Sequence, residues 1–249
     1  MIKPILVANW KMNKTVGESL DYANRLKTLV AGVNDRCVVI APPFTALHAV
    51  GAALKESAIG LAAQNLSEYK DGACTGEVSA RMLADAGCTY VIVGHSERRA
   101  FFGESNDLIH AKIGRALEHG LQPIFCIGET LQEREAGMTF ETIERQIKEG
   151  LNHITAYDIQ KMVIAYEPVW AIGTGKTATP EQAGEAHAFV RHLIEKRNGA
   201  ETARRLPLIY GGSVRPDNIG RLMAHADING ALVGGAGLDA DTFAQIVLF

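Results

Sequence analysis

Short apolar runs recur along the chain, and polar or glycine residues bound each of them. Such runs, rich in β-branched residues, predict strands, and a run without polar alternation is typical of a strand covered on both faces, as in a parallel sheet. Eight runs fit this description: Ile5–Asn9, Cys37–Ala41, Ile59–Gln64, Tyr90–Gly94, Pro123–Gly128, Lys161–Tyr166, Leu208–Gly211 and Ala231–Gly234.

The stretches between these runs carry helical patterns. Ser105 is a predicted N-cap for an amphipathic stretch that ends at Gly120. Thr179, Pro180 and Gln182 have the spacing of a capping box with proline in the first helical turn, so a second helix is predicted to begin there.

Strand and helix patterns alternate over the whole chain without a linker or a low-complexity tract. Alternation of this kind favours an α/β fold with parallel strands, and eight strands match a (β/α)8 barrel. We therefore expect a single barrel domain over residues 1–249. A doubly wound open sheet is the alternative, but that fold usually has fewer strands.

Composition and charge argue against several classes of binding partner and cellular location. The net charge of −3, without a basic face, argues against nucleic acid. No apolar run approaches the length of a membrane span, and the apolar run near the N-terminus is too short for a signal peptide. The four cysteines are far apart and lack the spacing of metal ligands, so we expect reduced thiols in a cytoplasmic protein.

In a barrel of this class, the strand C-termini share one face and carry the chemistry. Polar, ionisable and glycine residues lie at the predicted termini: Asn9, Lys11, Gln64, Asn65, His95, Cys126, Glu129, Glu167, Gly211-Gly212-Ser213 and Gly234-Gly235.

Glu167 lies where the sixth strand ends, and Pro168 holds it in an extended conformation. A segment with stiff ends and a small-residue middle follows, which suggests a catalytic base under a lid. The predicted lid comprises Pro168, Val169, Trp170, Ala171, Ile172, Gly173, Thr174, Gly175 and Lys176. Two formal motif matches inside it, to a P-loop and to a dinucleotide fingerprint, fail because the required glycine spacing or strand-to-helix turn is missing.

His95 and Lys11 each allow two interpretations. His95 precedes a predicted short helix, so it is either a neutral hydrogen-bond donor or a structural helix cap. Lys11 is either a charge for an anionic ligand or a surface lysine. Glu97 is expected to pair with a lysine or arginine. The histidines within helical stretches are expected to be solvated: His110, His119, His187 and His192.

Glycines after the seventh and eighth strands are common in barrels that bind phosphate through backbone amides. Either pair alone is as well explained by a tight turn. The two groups, Gly211-Gly212-Ser213 and Gly234-Gly235, together with Gly173 favour a phosphate site.

Several of these segments together resemble the triosephosphate isomerase family, from the first strand to the last. The motifs that carry the resemblance are Asn9-Trp10-Lys11, Gln64-Asn65, Thr75-Gly76-Glu77, Val93 to Arg99, Cys126 to Glu129, Ala165 to Lys176, Tyr210 to Val214 and Leu232 to Gly235. A polar insert, Asn198–Arg205, has no evident role.

The resemblance implies a TIM barrel that interconverts dihydroxyacetone phosphate and glyceraldehyde 3-phosphate without cofactor or metal. It implies that Glu167 is the base, that neutral His95 polarises the carbonyl group, and that Lys11 supplies positive charge beside Asn9. The amides implied to hold the phosphate are those of Gly173, Ser213, Gly234 and Gly235.

The resemblance also implies that Ile172 and Leu232 close over Glu167. It further implies a homodimer in which Thr75 reaches the active site of the neighbouring subunit. Two other functions remain open from the residues: an aldolase that uses Lys11 as a Schiff base, and a catalytically inactive barrel that binds a phosphate ligand.

Overall fold

Eight parallel strands form a closed barrel in the computed structural model, which describes residues 2–171 and 178–249. Each strand pairs with the next along the chain, and β1 pairs with β8. The barrel prediction is confirmed, and no predicted strand end is more than two residues away from the observed one. The strands are β1 Ile5–Asn9, β2 Cys37–Ala41, β3 Gly60–Ala63, β4 Tyr90–Val93, β5 Gln122–Ile127, β6 Val163–Tyr166, β7 Leu208–Tyr210 and β8 Gly230–Val233.

Helices connect the strands and surround the barrel. Within the described residues they are α1 Val16–Leu29, α2 Phe44–Ala53, α3 Ala80–Asp85, α4 Ser96–Phe102, α5 Asn106–Glu118, α6 Leu131–Glu135, α7 Thr139–Gly150, α8 Ala156–Ile159, α9 Pro180–Asn198, α10 Ala200–Arg205, α11 Ile219–Met223 and α12 Ala240–Val247. Both predicted caps are confirmed. Ser105 accepts a hydrogen bond from the Leu108 amide, and Thr179 forms a capping box with Gln182.

Alternate residues of each strand point to opposite sides of the barrel wall. On β1, Leu6 and Ala8 belong to the larger apolar cluster that also contains the buried helix residues. Val7 belongs to a separate cluster formed by strand residues alone. That second cluster fills the barrel interior, so the core has two layers separated by the sheet.

The mouth of the barrel lies at the next inward-facing position, two residues beyond the last interior side chain of each strand. On every strand except β2, the residue at that position is polar or glycine: Asn9, Gln64, Gly94, Gly128, Glu167, Gly211 and Gly234. Four of these seven are glycine, so the mouth is built from small residues around a few polar side chains. The alternation that fills the interior therefore also brings Glu167 to the mouth.

The polar insert 198–205 is part of the barrel's outer layer. Most of it forms α10, and Arg191 on α9 donates hydrogen bonds to the backbone carbonyls of Ala203 and Leu206. The same guanidinium binds Asp227 at 3.0 Å and Asn229 Oδ1 at 2.8 Å. One half-buried arginine thus joins α9 and α10 to the segment that leads into β8.

The prediction that His187 is solvated is wrong, because its side chain is buried. His187 lies one turn after Ala183 on the apolar stripe of α9, and its Nδ1 lies 2.7 Å from the Ala183 carbonyl. The ring packs edge-on against Tyr166, with centroids 5.7 Å apart. Burial lowers the pKa of His187 from 6.5 to about 4. The other three histidines within helical stretches are exposed or half-buried.

All four cysteines are free; Cys88 and Cys126 are buried, and the other two are half-buried. Among residues 2–171 and 178–249, no helix is long and apolar enough to cross a membrane.

Candidate active site

The structure brings Lys11, His95 and Glu167 together at the mouth of the barrel, from the ends of β1, β4 and β6. Glu97 links the first two, because its carboxylate lies 2.6 Å from Lys11 Nζ and its backbone amide donates to His95 Nδ1 at 3.2 Å. His95 in turn contacts Glu167. Both His95 and Glu167 are buried, and Lys11 is half-buried.

Two missing side chains make room for Glu167. A side chain at Gly128 would overlap the carbonyl oxygen of Glu167, and one at Gly211 would approach its Cγ to 2.8 Å. The Glu167 amide donates to the Ile127 carbonyl at 2.7 Å, which continues the ladder between β5 and β6. The carboxylate is therefore held on a fixed backbone between two strand ends without side-chain bulk.

Three donors hold the Glu167 carboxylate. The Ser96 amide donates to Oε2 at 2.9 Å, and the Ser96 hydroxyl donates to Oε1 at 3.3 Å. His95 Nε2 lies 3.0 Å from Oε1. These donors satisfy a carboxylate that is only 2% exposed.

His95 is both a helix cap and a member of the site, so both sequence-based interpretations apply. It is the N-cap of α4, and its Nδ1 accepts a hydrogen bond from the Glu97 amide at 3.2 Å. Because Nδ1 is the acceptor, the neutral ring carries its proton on Nε2. That proton points toward Glu167 and the mouth of the barrel.

The backbone around Lys11 is held in a left-handed conformation, with φ 53°. Asn9 Oδ1 accepts a hydrogen bond from the Lys11 amide at 3.0 Å, which leaves the Asn9 side-chain NH2 as a donor. Gln64 Nε2 donates to the carbonyls of Lys11 and Ala41 at 2.9 and 2.8 Å. Lys11 is thus fixed at its amide, its carbonyl and its ammonium group.

The predicted phosphate-binding residues differ in how closely they approach these side chains. A side chain at Gly234 would lie 3.6 Å from Lys11 Cε, so this glycine is next to the lysine. Gly235 is exposed and opens a short 3-10 helix, Gly235–Leu238. The Ser213 carbonyl accepts from Asn218 Nδ2 at 3.0 Å. Among the described residues, no hydrogen bond joins Ser213 or Gly235 to the three side chains.

The first part of the predicted lid is described, and its remainder, Ile172, Gly173, Thr174, Gly175 and Lys176, lies outside the described residues. Pro168 is buried, and Val169–Ala171 form one turn of 3-10 helix. Trp170 Nε1 donates to Glu129 at 2.8 Å. The start of the lid is therefore bound to Glu129, in the connection after β5.

Glu129 is a fully buried carboxylate that organises this lid base. It accepts hydrogen bonds from the Tyr166 hydroxyl at 3.1 and 3.2 Å and from Arg134 at 2.9 Å, in addition to Trp170. The Arg134 guanidinium also lies over the indole of Trp170, 4.5 Å from the ring centroid. Tyr166 immediately precedes Glu167, so Glu129 supports both the start of the lid and the strand that carries Glu167.

Thr75 is exposed on the irregular segment between β3 and α3. Large apolar side chains are exposed in the connections after β1, β2, β3 and β4, which are neighbours in the barrel. They are Met12, Val16, Phe44, Tyr69, Met82, Phe101 and Phe102. These four connections therefore present large apolar side chains to solvent.

A carboxylate, an imidazole N–H and an ammonium group at one mouth can move a proton next to a carbonyl group and stabilise the developing oxyanion. Within residues 2–171 and 178–249, no group of three or more His, Cys, Asp or Glu side chains is placed to hold a metal ion. Lys11 Nζ lies 2.6 Å from the Glu97 carboxylate, and this contact does not favour the Schiff-base interpretation, since a Schiff-base lysine is typically desolvated or placed beside another cation.

Comparisons with known proteins agree with this arrangement. The model of a family described as triosephosphate isomerase matches residues 4–249. A triosephosphate isomerase from Geotalea uraniireducens is 53% identical over 249 residues, covering 100% of this chain and 99% of the relative. One from Aquifex aeolicus is 51% identical over 246 residues, covering 99% of each.

A crystal structure of triosephosphate isomerase from Bartonella henselae superposes with a TM-score of 0.89 at 38% identity, and the match covers 99% of this chain and 98% of that one.

Sequence reasoning gave no role to Ser96, Gln64 or Glu129. Ser96 and Gln64 act through hydrogen bonds to residues far away in the chain, and no local pattern indicates such bonds. The position of Glu129, close after a buried strand, was a signal for a role. A carboxylate that is buried there requires hydrogen-bonding partners. Glu97 does pair with a lysine, as expected.

Proposed function

Because this chain belongs to the triosephosphate isomerase family, we infer that it is an intramolecular isomerase that interconverts dihydroxyacetone phosphate and D-glyceraldehyde 3-phosphate. The reaction belongs to glycolysis and gluconeogenesis. It moves one proton between adjacent carbons through an enediol(ate) intermediate. The residues proposed to carry it are Glu167, His95 and Lys11.

Glu167 is the base in this proposal. It removes a proton from the carbon beside the carbonyl group and returns it to the neighbouring carbon. His95 Nε2–H donates to the carbonyl oxygen as negative charge develops there, and the same nitrogen then moves protons between the two oxygens. Lys11 stabilises the oxyanion, and the Asn9 NH2 group donates a further hydrogen bond.

The substrate phosphate is proposed to bind through the backbone amides of Gly173, Ser213, Gly234 and Gly235. The contact distance at Gly234 supports this assignment, since it places that glycine beside the Lys11 side chain. The overall charge is −3, so an anionic substrate depends on local charge from Lys11 and from oriented amides.

The lid, residues 168–176, is proposed to exclude water from the intermediate. An enediol phosphate that is free to rotate in water can eliminate phosphate, and a closed dry pocket suppresses that reaction. Ile172 and Leu232 are proposed to cover Glu167. Leu232 is buried among the interior side chains of the barrel, directly below the mouth.

The chain is further proposed to be one cytoplasmic domain that acts as a homodimer. Thr75 would enter the mouth of the partner's barrel, and the exposed apolar side chains after β1 to β4 support a subunit contact on that side. Removing such side chains from water favours association by about 25 cal/mol per Å².

One observation carries the proposal, the series of contacts at the mouth. Lys11 Nζ lies 2.6 Å from the Glu97 carboxylate, and the Glu97 amide donates to His95 Nδ1 at 3.2 Å. His95 Nε2 in turn lies 3.0 Å from Glu167 Oε1. The test is a coupled assay with dihydroxyacetone phosphate on the wild type, Glu167→Ala and Glu185→Ala. Glu185 is an exposed carboxylate on α9 and serves as the control.

Turnover in the wild type and control that is lost in Glu167→Ala is the expected result. A folded wild type that binds inorganic phosphate without turnover would instead indicate an inactive binding barrel. Trapping of a carbonyl substrate on Lys11 by borohydride would indicate an aldolase.

A further inference from the structure

Arg99 on α4 connects two strand ends beneath the active site. Its Nε donates to the Gly94 carbonyl at 2.8 Å, and its Nη2 donates to the Cys126 carbonyl at 3.1 Å. Its Nη1 donates to Asn106 Oδ1 at 2.6 Å. A planar guanidinium has its donors in a fixed fork, so three such bonds define the distance between their acceptors.

This guanidinium pairs with no carboxylate among the described residues, although charged groups face it. Burial lowers the pKa of Arg99, and the negative charges of Glu167 and Glu104 oppose that change, while Arg145 adds to it. Arg99 is half-buried, and a charge that is partly withdrawn from water normally has a charged partner. Here the partners are two strand-end carbonyls and an amide.

The two carbonyls lie close in the chain or in space to the backbones of His95 and Glu167. Gly94 immediately precedes His95 and has a left-handed backbone, with φ 70°, and a side chain added there would crowd Arg99 Nη2 at 3.2 Å. Cys126 lies two residues before Gly128, where any side chain would collide with the Glu167 backbone. The Arg99 amide also donates to the His95 carbonyl at 3.1 Å.

We propose that Arg99 is a positioning residue for the isomerase reaction, which fixes the end of β4 relative to the end of β5 and thereby sets His95 against Glu167. The inference rests on the proposed function. Arg99 does not touch the substrate in this account. It acts through the backbone on each side of the His95–Glu167 contact.

The proposed phosphate amides belong to other strands, β6, β7 and β8. Loss of Arg99 is therefore expected to lower kcat and to leave phosphate binding unchanged. A displacement of about 1 Å between reacting groups can reduce the rate about a hundredfold.

The experiment compares the wild type with Arg99→Met, Arg99→Lys and Arg197→Met. Arg197 is the matched control, because it too donates to two backbone carbonyls, those of Lys148 and Leu151, and burial likewise lowers its pKa. It joins α9 to the end of α7, away from the strand ends. Measured quantities are kcat, KM for dihydroxyacetone phosphate, Ki for inorganic phosphate and the melting temperature.

Arg99→Met is expected to lower kcat by roughly tenfold to a hundredfold with unchanged KM and Ki. Arg99→Lys keeps the charge but cannot span both carbonyls, so its kcat is expected to lie between those of wild type and Arg99→Met. Arg197→Met is expected to lower only the melting temperature.

A wild-type kcat in Arg99→Met, or a fall in kcat matched by equal rises in KM and Ki, would overturn the inference. If Arg99→Met does not fold, Arg99→Lys and Asn106→Ala decide by the same criteria, since Asn106→Ala frees one arm of the guanidinium. An inactive wild type would refute the proposed function itself, whereas an active wild type beside unaffected Arg99 variants would refute only the positioning role.

Discussion

His95 Nε2 and Glu167 Oε1 are 3.0 Å apart, although the two residues come from strands that are separated by β5. The ring proton that contacts the carboxylate is the one that the proposed mechanism directs to the substrate oxygens. The proposed base, Glu167, and the proposed hydrogen-bond donor, His95, thus bind each other. Each of them exchanges that contact for one with the substrate when the substrate binds. The strength of this mutual contact sets how readily the site accepts a ligand.

Shortening the Glu167 side chain tests how strongly turnover depends on the position of its carboxylate. Glu167→Asp removes one methylene group and withdraws the carboxylate from His95 and from the proposed substrate carbon. We expect kcat to fall by roughly a hundredfold with little change in KM, because the phosphate contacts are unaffected. Steady-state kinetics in both directions checks this, and a variant with wild-type kcat would contradict Glu167 as the base.

The glycines around Glu167 provide a second test. Gly211→Ala places a methyl group 2.8 Å from Glu167 Cγ and should displace the carboxylate. We expect a loss of kcat of roughly tenfold or more, without a comparable loss of folding stability. Gly114→Ala is the control, since it lies in α5 with open space around it and should leave kcat unchanged. Equal kinetics for the two variants would refute the steric argument.

Burial of His187 predicts a pH dependence of stability. The folded-state pKa of about 4 lies below the ordinary 6.5, so the unfolded chain binds the proton more readily. The folded state is therefore undisturbed above pH 6.5 and is destabilised as the pH falls from 6.5 toward 4. At about 1.4 kcal/mol per pKa unit, this loss approaches about 3 kcal/mol at pH 4.

His187→Gln keeps a donor for the Ala183 carbonyl but does not titrate. We expect its free energy of unfolding to fall less than that of the wild type between pH 6.5 and pH 4, as measured by urea denaturation. Arg191 and Asp227 remain in both proteins, so their effects cancel in the comparison. Parallel pH profiles would show that His187 is not responsible.

The proposed dimer predicts that a charge on its apolar surface separates the subunits. Phe101 is 77% exposed on α4, and Phe101→Lys should shift the sedimenting species from two chains toward one of 26.8 kDa. Tyr157→Lys is the matched control, because Tyr157 is 71% exposed on α8, away from the connections after β1 to β4. A wild type that sediments as a single chain would contradict the dimer.

The barrel was predictable because its signals are local. Each interior strand is an uninterrupted apolar run, and the Thr179 capping box contains its own donors and acceptors. The same periodicity of two brings Asn9 and Glu167 to the mouth. The three proposed reacting residues could therefore be found by their places at strand ends.

The supporting contacts could not be predicted in this way. Gln64 binds a carbonyl 53 residues away, and Ser96 binds a carboxylate 71 residues away. Whether His187 faces solvent or β6 depends on how α9 is rotated, and a histidine beside an apolar stripe is compatible with both. These features depend on packing between elements, which becomes defined only when the barrel closes.

Closure itself depends on the two ends of the chain. Ile5 on β1 pairs with Gly230 on β8, where any side chain would collide with the Ile5 carbonyl. During synthesis from the N-terminus, β1 exposes one unpaired edge until almost the entire chain has been made, and an unpaired edge is a template for aggregation. A newly made chain therefore stays vulnerable until its eighth strand emerges from the ribosome, and truncation by a few tens of residues leaves an open sheet.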